Sequence, residues 1–143
     1  MKVGFTGTRK GMTSEQKDTF AKVLKEVSAH VFTHGDCIGA DAQAHEIAIK
    51  NRWLYIEKRP CTLPDQRAWT IGGHKCYPPE APALRNMRIV DDCEVLIATP
   101  GGFKEVRRSG TWMTIRYARK VGNLVIIIWP DGKREEHIPK ANF

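Results

Sequence analysis

Short apolar runs alternate with helix-like segments along this chain, and that alternation limits the possible folds more than any other feature. The runs rich in apolar residues cover residues 2–6, 30–34, 53–56, 95–98 and 124–129. Strands that are buried on both faces of a parallel sheet have nearly continuous apolar runs of this length. Because parallel strands need long crossover connections, the segments between the runs are expected to be helices.

Helix signals do occupy the intervening segments. Residues 13–16 have the Ser/Thr-x-x-Glu/Gln form of a capping box, and the apolar residues at positions 20, 23, 24 and 27 share one helical face. Further helices are predicted from Ala40 to about Asn51, from Pro82 onward and from Ser109 onward. We therefore predict one Rossmann-like α/β domain over residues 1–143, with a five-stranded parallel sheet in the order 3-2-1-4-5 and helices on both faces.

Composition narrows the class of protein further. A chain of 143 residues with 41% hydrophobic residues is long enough for one domain with a real core. No apolar run approaches the roughly 20 residues of a membrane helix, and the N-terminus lacks signal-peptide features, so a cytoplasmic protein without a membrane partner is expected. The four cysteines are scattered and match no closed zinc pattern. We expect reduced thiols, no metal and no other cofactor.

The charge balance points to an anionic partner. Lys and Arg number 23 against 16 Asp and Glu, which gives a net charge of +7 and an isoelectric point near 9.4. Excess positive charge raises the local concentration of anions. Nucleic acid, a nucleotide and a phosphorylated metabolite all fit this balance, and a modest excess also occurs in proteins without any such partner.

Two segments break the alternation. Residues 59–82 contain five prolines and the pair Gly72-Gly73, together with aromatic and cationic side chains. This stretch is either a binding loop that acts as a lid and orders on ligand binding, or a proline-stiffened surface excursion. The polar tail, residues 130–143, is predicted to form a short hairpin or an edge strand.

Ligands of open parallel sheets bind beyond the carboxyl ends of the strands, so the loops at that edge matter most. The loop after the first strand matches neither a Walker motif nor Gly-x-Gly-x-x-Gly, which disfavours NAD, but it has residues that suit an anion: Gly7, Thr8 and Arg9. The loop after the second strand offers a glycine and two carboxylates that either bind a sugar or cap the next helix: Gly35, Asp36 and Asp41.

The loop after the fourth predicted strand carries the strongest signal. It starts with Pro100, Gly101 and Gly102, and the helix after it opens at Arg108, Ser109, Gly110 and Thr111. Backbone N–H groups, a hydroxyl and a helix N-terminus then converge at one place, which is a metal-free phosphate-binding arrangement. Upstream, Arg85 is placed to neutralise the phosphate, and Asn86 lies beside it.

These motifs together resemble the LOG-like and DprA-like Rossmannoid superfamily, often called SLOG. The likeness covers about residues 2–130. Within this superfamily the sequence is most similar to the small YspA-type or DUF2493-type proteins of bacteria and phages. The LOG enzymes of that superfamily are nucleotide phosphoribohydrolases with an Arg-Lys pair followed by Pro-Gly-Gly-x-Gly-Thr-x-x-Glu. The resemblance implies a nucleotide-type ligand and a homodimer or higher homo-oligomer.

The chain departs from the LOG signature where catalysis would be carried. Thr114 stands at the position of the glutamate, Asn86 replaces the lysine of the pair, and residues are inserted between Gly102 and Gly110. Cleavage of an N-glycosidic bond needs a carboxylate, and the candidates are Glu105, Asp36 and Asp41.

Two functions follow from these observations. The first is binding of a nucleotide or nucleotide-derived phosphorylated ligand by a sensor or sequestering protein, with possible N-glycosidic hydrolysis or a deoxyribosyltransferase-like reaction. The alternative is a DprA-like DNA-binding accessory protein that uses the same basic edge.

Overall fold

The computed structural model describes residues 1–139, and these form a three-layer α/β structure. Seven strands make one sheet: β1 (Lys2–Gly7), β2 (Val31–His34), β3 (Tyr55–Lys58), β4 (Lys75–Cys76), β5 (Val95–Thr99), β6 (Leu124–Ile128) and β7 (Arg134–His137). Four helices cover it: α1 (Ser14–Glu26), α2 (Ala40–Ala48), α3 (Pro82–Asp91) and α4 (Gly110–Val121). The predicted Rossmann-like class is confirmed.

The strand order is β4-β3-β2-β1-β5-β6-β7, and only β7 is antiparallel to its neighbour. The five strands predicted from apolar runs therefore lie in the predicted order, but the predicted number of strands was wrong because each edge carries one more. β4 has two residues and β7 is entirely polar, so neither has the buried apolar run on which the prediction depended. The expected edge strand in the tail is thus present as β7, and residues 140–143 of that tail lie outside the described part.

Alternate residues of the central strands face opposite helix layers. Val95 and Ile97 of β5 pack in the cluster covered by α1 and α2. Leu96 and Ala98 of the same strand pack in the cluster that includes residues of α3 and α4. This two-sided burial explains why the strands lack the polar alternation of half-exposed strands.

The capping box predicted at the start of α1 is present. The side-chain hydroxyl of Thr13 accepts a hydrogen bond from the backbone N–H of Gln16, while the Gln16 side chain accepts one from the Thr13 N–H. The same glutamine donates from Nε2 to the carbonyls of Pro100 and Ile128, each at 2.9 Å. One buried side chain thus ties the start of α1 to the carboxyl ends of β5 and β6.

The connection between β3 and α3, residues 59–81 (the long segment), is folded against the body of the domain. It contains a 3-10 helix (Pro64–Gln66), strand β4 and two isolated bridges, Cys37 to Arg67 and Cys61 to Glu80. No helix within residues 1–139 is long and apolar enough to cross a membrane.

Candidate ligand cleft

A cleft of about 580 Å³ lies at the carboxyl ends of β1, β2 and β5. It is lined by the loops after these three strands, by the first turns of α3 and α4, and by one residue of the long segment. The structure brings thirteen of the predicted ligand-binding residues to its wall: Gly7, Thr8, Arg9, Gly35, Asp41, Arg85, Asn86, Gly101, Gly102, Arg108, Ser109, Gly110 and Thr111.

The floor of the cleft depends on close backbone packing around Gly7. The backbone N–H of Thr8 donates to the Thr99 carbonyl at 3.1 Å, which joins the loop after β1 to the end of β5. A Cβ atom at Gly7 would lie 2.4 Å from Thr99 Oγ1 and 2.5 Å from Ala40 Cβ. Only glycine allows α2 and β5 to approach the end of β1 this closely.

The N-terminus of α4 points its first turn at one side of the cleft. Ser109 is the N-cap, and its hydroxyl accepts from the Trp112 N–H at 3.3 Å. Gly110 and Thr111 begin the helix and line the cleft. The first N–H groups of a helix have no intrahelical acceptor, and the helix dipole is positive there, so this end suits an anion.

Cationic side chains add further positive charge to the cleft. Arg9, Lys10 and Arg108 all line the cleft. Within residues 1–139 none of the three forms an ion pair with a carboxylate. Among the described residues, their charge is therefore not neutralised by a neighbouring carboxylate. The side of the cleft formed by residues 7–10, 101–102 and 108–111 is called the anion side.

Asp41 lies on the opposite side, in the first turn of α2. Its Oδ2 accepts from the backbone N–H groups of Gly35 and Cys37, both at 3.1 Å, while Oδ1 has no hydrogen bond within the described residues. Burial raises the pKa of this carboxyl to about 6, although Arg85 and the two N–H groups act in the opposite direction. A carboxyl with a pKa near 6 can both hold and release a proton close to neutral pH.

Arg85 lines the cleft, but its guanidinium already donates hydrogen bonds to other groups of the protein. Its guanidinium donates to the carbonyls of Gly35 at 2.7 Å and Arg59 at 3.2 Å, and to Asn86 Oδ1 at 2.7 Å. It also contacts Cys37 Sγ at 3.3 Å, and its residue is only 5% exposed. Two of these contacts hold the loop after β2 in place, and together the four leave little of the arginine's hydrogen-bonding capacity for a ligand.

Two buried histidines lie behind Asp41. His34 Nδ1 accepts from the Asp36 N–H, His34 Nε2 lies 2.9 Å from His45 Nδ1, and His45 Nε2 lies 2.7 Å from the Ile71 carbonyl. These contacts place the proton on Nε2 of both rings. Burial, followed by repulsion from His45, lowers the pKa of His34 to about 3, so the ring is neutral and structural.

Three of the predicted residues lie away from the cleft. Asp36 is fully buried behind it, and its carboxylate binds Arg67 and Thr70. Glu105 is exposed and pairs with Arg116 on the outer face of α4 at 3.3 Å. Pro100 offers its carbonyl to Gln16. Of the three carboxylates considered for catalysis, Asp41 alone therefore faces the cleft.

Sequence reasoning missed Lys10 and Gln66, which both line the cleft. Lys10 belongs to the same loop as Gly7, Thr8 and Arg9, and its positive charge is the signal that could have indicated it. Gln66 lies in the long segment, where no periodicity or motif singles it out. Within residues 1–139 no group of three or more His, Cys, Asp or Glu side chains is arranged to hold a metal ion.

Comparison with known proteins adds two solved structures to this description. No protein-family model and no curated protein matches the sequence. The structural genomics target TM1055 aligns with a TM-score of 0.62 at 15% identity, over 87% of this chain and 72% of its own. DNA processing protein A (DprA) from Streptococcus pneumoniae aligns with a TM-score of 0.62 at 20% identity. That alignment covers 88% of this chain and 49% of DprA, so the chain spans about half of the length of DprA. The chain therefore shares its Rossmann-like fold with these two proteins.

Proposed function

We propose that this protein binds a nucleotide or nucleotide-derived phosphorylated ligand in the cleft, with the phosphate at the anion side. The observation that carries the proposal is that three cations without a carboxylate partner among residues 1–139 line the same cleft as the N-terminus of α4. Charged hydrogen bonds and the helix dipole both favour a group with negative charge and several acceptor oxygens. Phosphate has these properties in a compact form.

Space for a phosphate exists where the backbone is least obstructed. A Cβ atom at Gly102 would have no atom within 4 Å, and one at Gly110 would meet only the Asn86 amide at 4.0 Å. Backbone N–H groups can approach a ligand closely where no side chain covers them. The two glycines thus frame the open part of the anion side.

The rest of the ligand would extend toward Asp41. A carboxylate oxygen without a protein partner is an acceptor for a sugar hydroxyl. The same oxygen could take a proton from a water that attacks the carbon of an N-glycosidic bond, so Asp41 is the residue that turnover would depend on. Binding without turnover remains the first proposal, because none of the three carboxylates lies within the α4 motif itself.

Placement of this chain in the SLOG superfamily is supported by its loop motifs together with the fold shared with TM1055 and DprA. The YspA-type subgroup and a homodimer remain predictions. The DNA-binding alternative is supported by the fold alone, since this chain spans about half of DprA. A DNA-binding protein would show a steep salt dependence with oligonucleotides and no competition by mononucleotides.

Isothermal calorimetry with a nucleoside and its 5′-monophosphate tests the proposal. We expect the monophosphate to bind about 10- to 100-fold more tightly, since a hydrogen bond to a charged group contributes about 1.5–3 kcal/mol. Arg108→Gln should remove most of this difference. Arg107→Gln is the matched control, because Arg107 is exposed and lies outside the cleft wall. Equal affinity for the nucleoside and the monophosphate in the wild-type protein would contradict the proposal.

A further inference from the structure

The long segment contributes a single side chain to the cleft. Of residues 59–81, all of which the structure describes, only Gln66 lines the wall. Its backbone is held at both ends, since its N–H donates to the Leu63 carbonyl at 3.1 Å and its own carbonyl accepts from the Ile38 N–H at 3.0 Å. The side chain is half-buried, so its orientation is restricted while its end stays accessible.

The amide of Gln66 is almost unused by the protein. Its Oε1 lies 4.0 Å from Cys61 Sγ, which is a weak contact, and its Nε2 makes no hydrogen bond within residues 1–139. A primary amide presents a donor next to an acceptor. This pair is neutral, in contrast to the anion side, and it matches any ligand edge on which an acceptor and a donor are adjacent.

Asp36 anchors the segment beside Gln66. Its Oδ2 accepts from Arg67 Nε at 2.9 Å, and its Oδ1 accepts from the Thr70 N–H at 3.0 Å and from the Thr70 hydroxyl. Its backbone carbonyl accepts from the Ala68 N–H at 2.7 Å. Burial acts to raise the pKa of Asp36, but the bonds from Thr70 and Arg67 outweigh it and lower the pKa below its usual value. The carboxylate is thus ionised and satisfied by the segment itself.

These anchors flank Gln66 closely. Residues 36–38 and 66–68 face each other through the antiparallel bridge between Cys37 and Arg67. The Arg67 guanidinium also stacks over the Trp69 ring, 3.8 Å from its centroid. These contacts fix the segment against the loop after β2 on both sides of Gln66. A lid that orders on ligand binding stays a prediction.

We propose that Gln66 reads the nucleobase of the ligand and that Asp36 is the positioning residue that holds Gln66 at the cleft. This inference rests on the proposed function, since it assumes a nucleotide whose phosphate occupies the anion side. The chemical class it adds is a base with an adjacent donor and acceptor, such as the N6 and N7 positions of adenine, which an amide pairs with in two hydrogen bonds.

The test measures two ratios in the full-length protein by calorimetry. The first is the affinity for a nucleoside 5′-monophosphate over its nucleoside, which reports on the phosphate. The second is the largest ratio of affinities among the four common 5′-monophosphates, which reports on the base. We expect Gln66→Leu to lower the second ratio by about 10-fold, the range of one bidentate base contact, and to leave the first ratio unchanged.

Asp36→Asn tests the positioning role. Asparagine tolerates the left-handed backbone of Asp36, where φ is 52°, but its amide N–H₂ would face the donor of either Arg67 or Thr70. We expect the same loss of base preference as in Gln66→Leu, together with faster proteolytic cleavage within residues 59–81. Thr70→Val removes only the hydroxyl bond to Asp36 and is the milder variant should Asp36→Asn fold poorly.

The outcomes separate the two proposals. Base preference that persists in Gln66→Leu overturns the reading role, and base preference that persists in both Asp36→Asn and Thr70→Val overturns the positioning role. A wild-type protein that prefers monophosphates over nucleosides but shows no base preference also overturns this inference, and leaves the proposed function standing. Absence of any phosphate preference overturns the proposed function and this inference with it.

Discussion

The anion side of the cleft and the side formed by the loop after β2 use the same kinds of residue in opposite ways. On the anion side, Arg9 and Arg108 are exposed and have no carboxylate partner among residues 1–139. On the other side, Arg85 is buried and donates to two carbonyls and an amide oxygen. An arginine that is saturated by its own protein holds the fold, whereas one that is left open can bind a ligand.

The carboxylates follow the same rule. Asp36 is saturated by the long segment, Glu105 is solvated and paired with Arg116, and Asp41 lines the cleft with one oxygen that accepts no hydrogen bond among the described residues. Residue type alone therefore does not indicate a role. Burial and the number of remaining hydrogen-bonding positions decide it.

Arg85→Ala should cause the largest effect. The carbonyls of Gly35 and Arg59 would lose their donor, and each buried unsatisfied group costs about 1–3 kcal/mol, so we expect a loss of about 3–5 kcal/mol in the free energy of unfolding. Urea unfolding measures it. Arg88→Ala, one turn further on α3, is the control, because Arg88 is exposed and makes only a surface pair with Glu80 that contributes at most about 1 kcal/mol. Equal losses in the two variants would contradict the structural role of Arg85.

Asp41→Asn should change how stability depends on pH. The folded-state pKa of Asp41 lies near 6, above the value of the unfolded chain, so its contribution to stability is present below about pH 4 and is lost as pH rises through 6. A shift of about two units corresponds to about 3 kcal/mol. Between pH 4 and pH 7 the variant should gain about that amount relative to the wild type, as measured by urea unfolding at both values. A constant difference would show that Asp41 has an ordinary pKa.

Gly102→Ala should affect the ligand and not the fold. An added Cβ meets no protein atom within 4 Å, so we expect the free energy of unfolding to stay within about 0.5 kcal/mol of the wild type. The methyl group would occupy space on the anion side, and we expect about 10-fold weaker binding of a nucleoside monophosphate, equivalent to about 1.4 kcal/mol. Lys104→Ala is the control in the same loop, because Lys104 lies outside the cleft wall. Unchanged affinity in Gly102→Ala would place the phosphate elsewhere.

Glu105→Gln should have the smallest effect. An exposed ion pair such as that of Glu105 with Arg116 contributes about 0–1 kcal/mol, and the side chain does not line the cleft. We expect unchanged nucleotide affinity by calorimetry and, if free base is released in a chromatographic assay, an unchanged rate. Asp41→Asn should abolish any such release. A loss of release in Glu105→Gln would show that the loop around residue 105 moves into the cleft.

Much of the fold could be predicted because burial leaves a local signature. β5 and β6 are apolar on both faces, and the capping box at Thr13 indicates where α1 begins. β4 could not be predicted, since its two residues are exposed, carry no apolar pattern and form a strand through pairing with β3. The third strand was placed at residues 53–56 but lies at Tyr55–Lys58, because Lys58 is buried between its pairing partners in β2 and β4, whereas Trp53 is exposed.

The parts of the candidate site that depend on backbone groups and on the position of a loop could be predicted from the sequence. Gly101 and Gly102 follow the carboxyl end of β5, and Ser109 lies at the start of α4. These positions along the chain predict that all three line the cleft, and they do. The carboxylates could not be ranked in this way. Asp36 and Asp41 are only five positions apart, yet one binds the long segment and the other lines the cleft.

The sequence by itself determined the class of fold, the order of the five apolar strands and the edge of the sheet where loops rich in glycine and positive charge gather. These depend on local properties, namely apolar periodicity, helix caps and chain connectivity. Only the tertiary structure decided which polar groups remain open, since satisfaction of Arg85 and Asp36 depends on partners that lie 26 to 50 residues away along the chain. Whether a side chain is available for a ligand depends on its neighbours in space, and these cannot be predicted from the local sequence.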